Sequence, residues 1–147
     1  MNTFELIQGV ASIATAVGVG IAAWQLRVTK QQEESQFEDS FAAQYRAIAD
    51  TLPLDALLGR ELPETDLRAA LRAFYNYFDL CNEQVFLAKQ GRFRDATWDN
   101  WREGIEQHFK RPAFLQAWSR LSPDLDGSFD DLRAWLPASV ANRQPAG

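Results

Sequence analysis

Residues 10–26 form an apolar run without a charged side chain, and Arg27 and Lys30 follow it at once. This stretch constrains the chain more than any other. A helix that is apolar all round must be covered, either by protein or by lipid. A bilayer core takes about 20 apolar helical residues, with a range of roughly 17 to 25. The strict run lies at the short end of that range. Counting from Phe4 lengthens it, with only Glu5 and Gln8 interrupting. Those two side chains can lie at headgroup level, and Trp24 suits the opposite interface. The expected element is a transmembrane helix within residues 1–26, mooring the chain by its N-terminal segment.

The run is rich in small residues. Ser12, Ala16 and Gly20 recur at i, i+4 and i+8, and so do Ala14, Gly18 and Ala22. Small side chains on one face let two helix backbones approach closely in lipid, so Ser12, Ala16 and Gly20 are candidates for a helix–helix contact and for homo-oligomer formation. Two other readings stay open. A signal peptide would carry a basic segment, an apolar core and a small-residue cleavage site. Gly20 and Ala22 offer small positions, but the segment before the core holds Glu5 and no base. A buried helix of a soluble domain would need covering on every side.

Orientation follows from the basic residues. Arg27 and Lys30 lie just after the run and nothing basic lies before it, so the positive-inside rule places the remainder in the cytoplasm. The lone cysteine, Cys81, can form no intrachain disulfide, which fits a reducing compartment.

The residues beyond the anchor suffice for one small core rather than two domains. The chain carries a net charge of −5, and an acidic domain is a poor candidate for nucleic acid. Arg92, Arg94, Lys110 and Arg111 are local basic points that could touch anionic lipid, although solvated helix ends and a loop explain them more simply. Ten Phe, five Trp and three Tyr supply the buried area that lets a small domain fold without metals or disulfides.

Helical periodicity continues past the anchor. Phe37, Phe41, Tyr45, Ile48 and Leu52 mark one face, and no Gly or Pro interrupts residues 27–52, so a stalk helix is expected there, ended by Pro53. Residues 54–58 suit a short helical turn closed by Gly59. Pro63 with Thr65 or Asp66 opens the next helix, over 66–90. Its stripe is Leu67, Leu71, Phe74, Phe78, Cys81, Val85 and Ala88, with Tyr77, Leu80 and Leu87 as a second apolar flank. One narrow polar strip remains: Arg68, Arg72, Asn76, Asp79 and Glu83. A helix covered on most sides is a central helix, and Gly91 is its expected stop.

Asp95 is the expected cap of a helix over 96–110 with Trp98, Trp101, Ile105 and Phe109 on its face. Pro112 starts another, with Leu115, Trp118 and Leu121 on one side, broken by Ser122-Pro123. Ser128 with Asp131 makes an N-terminal capping pattern for a last short helix carrying Phe129, Leu132 and Trp135 and ended by Pro137. No segment alternates with period 2. The expected fold is all-α: an N-terminal transmembrane helix continuing into a small cytoplasmic helical bundle over 27–137, with 138–147 as a disordered tail.

Chemistry has few places to reside. Asp79 and Glu83 are four apart, so their carboxylates share a helix face; such a pair can split its pKa values or hold a divalent cation. His108, the only histidine, could join them. The simpler reading is that Arg72, Asn76, Asp79 and Glu83 form a solvent-facing polar strip. Cys81 lies on the core stripe, which favours a buried, inert thiol. Trp98, Trp101 and Trp118 fit a core better than a ligand cage. There is no HExxH, GxSxG, GxGxxG, Walker-type loop or Cys/His ligand cluster. No catalytic, cofactor-binding or metal-binding residue is assigned.

In the central helix, Tyr77-Phe78-Asp79-Leu80-Cys81-Asn82-Glu83 is followed by Gly91, by Trp98-x-x-Trp101 and by Pro112-Ala113-Phe114-x-x-x-Trp118. This arrangement resembles a group of small bacterial single-pass membrane proteins of unknown function. Their shared feature is an aromatic-Asn/Asp-Leu-Cys-x-Glu helix followed by Trp-x-x-Trp. The resemblance covers residues 74–121 and, in general form, the anchor. It implies the architecture and a bacterial origin, and it brings no activity. Asp79 stands where the group carries Asn at least as often, so a role that needs a carboxylate there does not transfer.

The expected function is a membrane-anchored helical interaction module at the inner face of a bacterial membrane, binding a protein partner or self-associating. The alternatives are a metal-assisted hydrolase using Asp79, Glu83 and His108, and a membrane effector that acts by oligomerising its span.

Overall fold

The computed structural model describes residues 2–125 and 127–144. Among them there are helices and no strands, so the fold is all-α. In chain order the helices are α1 (Thr3–Ala49), α2 (Leu54–Leu57), α3 (Glu64–Lys89), α4 (Asp95–His108), α5 (Pro112–Leu121), α6 (Asp130–Trp135) and α7 (Ala138–Ala141), with a 3-10 turn, Ser122–Asp124, after α5. The chain divides into two units, residues 1–37 and residues 38–147. The last turns of α1 belong to the second unit and are built into the bundle: Phe41 is buried, and Tyr45 and Ile48 pack against the core. The expected stalk over 27–52 is therefore in part a bundle helix.

In the first unit, Asn2 precedes α1, and its backbone N–H donates to the Glu5 carboxylate at 3.2 Å. That is half of a capping box, and it gives Glu5 a role in starting the helix. The Ser12 hydroxyl donates to the Gln8 carbonyl and the Thr15 hydroxyl to the Ala11 carbonyl, each at 2.9 Å, so neither hydroxyl seeks an outside partner. The helix is long and apolar enough to cross a membrane, and none of its most apolar 18-residue stretch is buried.

In the second unit, α3 is the central helix. Leu67, Phe74, Phe78, Cys81 and Val85 of its stripe are buried, as are Tyr77 and Leu80 of its flank. Phe74 meets Phe114 of α5 edge-on at 5.2 Å, and Phe78 meets Trp118 likewise at 5.2 Å. Such edge-to-face pairs suit the aromatic quadrupole and are worth about 0.5–1.5 kcal/mol beyond their buried area. Phe129 and Leu132, at and after the start of α6, close the core over α3. α3 ends where Gly91 adopts φ +66°, a left-handed conformation that glycine takes without a Cβ clash. There the Arg92 N–H donates to the Leu87 carbonyl and the Gly91 N–H to the Ala88 carbonyl, the paired bonds of a Schellman ending.

Four local expectations are corrected. α1 stops at Ala49 rather than 52, because Pro53 disfavours helical backbone before it and the last residues tighten into a turn, with Thr51 N–H on the Ile48 carbonyl. Asp95 is the first residue of α4 rather than its cap, and no local side chain caps that helix. Ser128 and Asp131 do not cap α6; Asn82 of α3 does, its Oδ1 accepting the Leu132 N–H at 2.9 Å. Residues 138–141 of the expected disordered tail form α7, whose Ala141 is buried and whose Val140 packs on the core. The last part of that tail, 145–147, lies outside the described residues.

Candidate functional site

The second unit holds a cleft of about 370 Å³ walled by α1, α3 and α4. Helical spacing sets each wall. Phe41, Ala42, Tyr45 and Arg46 lie four apart in pairs on α1, so they share a face. Tyr77 and Gln84 stand seven apart on α3, two turns along one side. On α4, Trp101, Gly104, Ile105 and His108 fall at i, i+3, i+4 and i+7.

The α1–α4 seam beside this cleft is clasped by Glu38. Its side chain is 5% exposed, yet it stays charged because four donors reach it. The Arg94 backbone N–H donates to Oε1 at 2.9 Å; Arg94 Nε, at 2.9 Å, and Nη2 donate to Oε2; the Thr97 hydroxyl donates to Oε2 at 2.8 Å. The Arg94 guanidinium holds the carboxyl below its ordinary value, against the opposing effect of burial. Glu38 thus serves as the N-terminal cap that α4 lacks locally, and a negative charge is favourable beside helix N–H groups. Arg94, expected as a solvated basic point, is its partner.

At the inner wall the Tyr77 hydroxyl and His108 Nδ1 are 2.9 Å apart. Burial, reinforced by the Arg111 cation, pushes the His108 imidazolium down to about 4 against the Gly104 carbonyl, so the ring is neutral at pH 7. Burial raises Tyr77 well above the usual phenol value, with Cys81 adding to the effect. Burial also raises Cys81 to about 12, which keeps it a thiol. Tyr77, His108 and Cys81 are therefore all uncharged, and the Tyr77–His108 bond is between neutral groups. The expectation of a buried, inert Cys81 matches this environment.

Of the residues singled out in sequence, His108 and Trp101 line the cleft, and the α3 polar strip does not. Arg72, Asn76, Asp79 and Glu83 are all exposed on α3, as a solvent-facing strip should be. His108 is buried against Tyr77 and Phe114, so it is not presented to bulk solvent beside those carboxylates. Among the described residues no three His, Cys, Asp or Glu side chains gather as a metal site. The three tryptophans separate as well. Trp118 is in the core, with its indole N–H unpaired among the described residues; Trp98 packs on Trp135; Trp101 packs between Phe41 and Phe93 and lines the cleft. Ser12, Ala16 and Gly20 are exposed in the first unit.

Sequence reasoning missed Glu38, Gln84 and Gly104. Gln84 carried a signal, since it is a polar residue at helical spacing on the apolar Tyr77 flank. Gly104 carried another, being a glycine inside a helix with no turn to make. Glu38 carried none, because its partners are more than fifty residues away. No family model, curated protein or solved structure matches the chain.

Proposed function

We propose that this chain is a single-pass protein of a bacterial plasma membrane, and that its 38–144 unit works in the cytoplasm as an interaction module. The module binds a protein partner or another copy of itself. The observation that carries the reading is the apolar helix near the start of the sequence, exposed along its whole most apolar stretch. Water is a poor solvent for such a surface, and a bilayer is the medium that its length and composition suit. Arg27 and Lys30 support the orientation. Ser12, Ala16 and Gly20 support close helix pairing, since Gly20 has open space where a side chain would stand and both nearby hydroxyls bond to their own helix. On the folded unit Leu54, Leu58 and Phe86 are large apolar side chains left exposed, the kind of surface a partner covers.

The test is cross-linking in native membranes together with size exclusion of detergent-purified full-length protein, alongside proximity labelling. The reading expects a dimer or larger species weakened by Gly20→Leu, or a reproducible protein partner. A strictly monomeric protein that labels nothing contradicts it.

A further inference from the structure

Gln84 is 6% exposed and lines the cleft, yet its amide makes no hydrogen bond with any described residue. The amide still reaches the open cleft, since the Trp118 indole N–H alone is sealed off without a partner among the described residues, so Gln84 is a polar group on the cleft wall that a ligand can pair with. Gly104 points the same way. Glycine is disfavoured inside a helix, and here a Cβ would meet nothing within 4 Å. Crowding does not explain it; what the missing side chain leaves is room in the cleft. The volume of about 370 Å³ falls within the range of small-molecule sites, roughly 300–1,000 Å³. Tyr45 and Trp101 give flat walls. Arg46 lines the cleft as an exposed cation without an ion pair among the described residues, and no acidic side chain lines it.

We propose that this cleft binds a small planar aromatic carboxylate that also carries a hydrogen-bonding ring atom. The ring lies against Tyr45 and Trp101, the ring's polar atom pairs with the Gln84 amide, and the carboxylate faces Arg46. An uncharged aromatic would forfeit Arg46, and a cation would be repelled by it. An aromatic without a polar ring atom would leave Gln84 unpaired. The proposal does not depend on the membrane reading, because every residue it uses lies in the 38–144 unit.

Ligand-detected NMR on the full-length protein in nanodiscs, with empty nanodiscs subtracted, tests it using three probes. These are indole-3-carboxylate, the uncharged indole-3-carboxamide, and 1-methylindole-3-carboxylate, which lacks the ring N–H. The first should bind saturably and the other two at least about threefold more weakly, the scale of one exposed charge or one hydrogen bond. Arg46→Gln should erase the preference over the carboxamide, and Gln84→Leu the preference over the methylated probe. Gly104→Leu should abolish binding by filling the cleft; Ala42→Leu fills it from α1 and serves if the first variant melts lower than wild type. Absence of saturable binding of indole-3-carboxylate below about 5 mM, an affinity floor of roughly 3 kcal/mol, overturns the proposal. So does unchanged binding in a folded cleft-filling variant, or equal binding of all three probes.

Discussion

The carboxylate of Glu38 accepts the backbone N–H of Arg94 at 2.9 Å, so that a side chain of α1 caps α4 from fifty-six residues away. The same carboxylate takes the Arg94 guanidinium and the Thr97 hydroxyl. Glu38→Ala should therefore destabilise the folded unit by about 2–4 kcal/mol, since charge-assisted bonds are worth roughly 1.5–3 kcal/mol each and are not additive. Glu38→Gln should cost less, because the amide oxygen still accepts. The folded pKa is depressed, so the contribution is present above the unfolded carboxylate value and fades as pH falls through the folded one. Urea unfolding of both variants at pH 7 and at pH 3 checks this; the gap between wild type and Glu38→Gln should shrink at the lower pH.

His108 should make the unit acid-labile in a different window. Its folded pKa is about 4, below the unfolded value, so the unfolded chain binds more protons between the two. Stability is full above the unfolded value near 6.5 and falls as pH drops towards 4, by on the order of 3 kcal/mol. In His108→Phe that slope should vanish while the slope below pH 4 persists. Chemical denaturation across pH 4–7 reads the difference.

Asn82 should matter more than an ordinary half-buried polar residue. It caps α6 through the Leu132 N–H at 2.9 Å, and loss of a cap costs about 0.5–2 kcal/mol. Asn82→Ala should lower stability by that amount and raise amide exchange first in α6, which hydrogen-exchange mass spectrometry would locate.

The α3 polar strip should be tolerant. Asp79→Ala and Glu83→Ala remove exposed carboxylates, and each should leave the melting temperature within about 2 °C of wild type. Neither should change the response to added divalent cations. A metal-dependent stabilisation lost in either variant would revive a cation site there.

Period 3.6 made the core legible. Leu67, Phe74, Phe78, Cys81 and Val85 announce one buried face of α3 before any coordinates are seen, and Gly91 announces its end. Capping was not legible. Sequence rules look for a cap within a few residues, and Asp95, Ser128 and Asp131 satisfied them on paper. In the folded unit α4 and α6 are capped by Glu38 and Asn82, while the Leu62 N–H goes to Gln116 at 3.2 Å. Those pairings exist only once helices pack, so no local window contains them. α7 was missed for a related reason: Val140 and Ala141 are too few to show a period, and they become core residues by meeting a surface already built. The cleft was half legible, through Gln84 and Gly104, as two local choices that packing alone did not require.

Membrane topology of the full-length chain bears most directly on the central claim. In bacterial cells expressing the protein with a C-terminal epitope, the tag should stay in the membrane pellet after alkaline carbonate washing. It should resist protease in intact spheroplasts and be digested in inverted vesicles, with the apparent mass unchanged. Release by carbonate, a product shortened by the length of the apolar segment, or digestion in intact spheroplasts would contradict a retained span with the 38–144 unit on the cytoplasmic side.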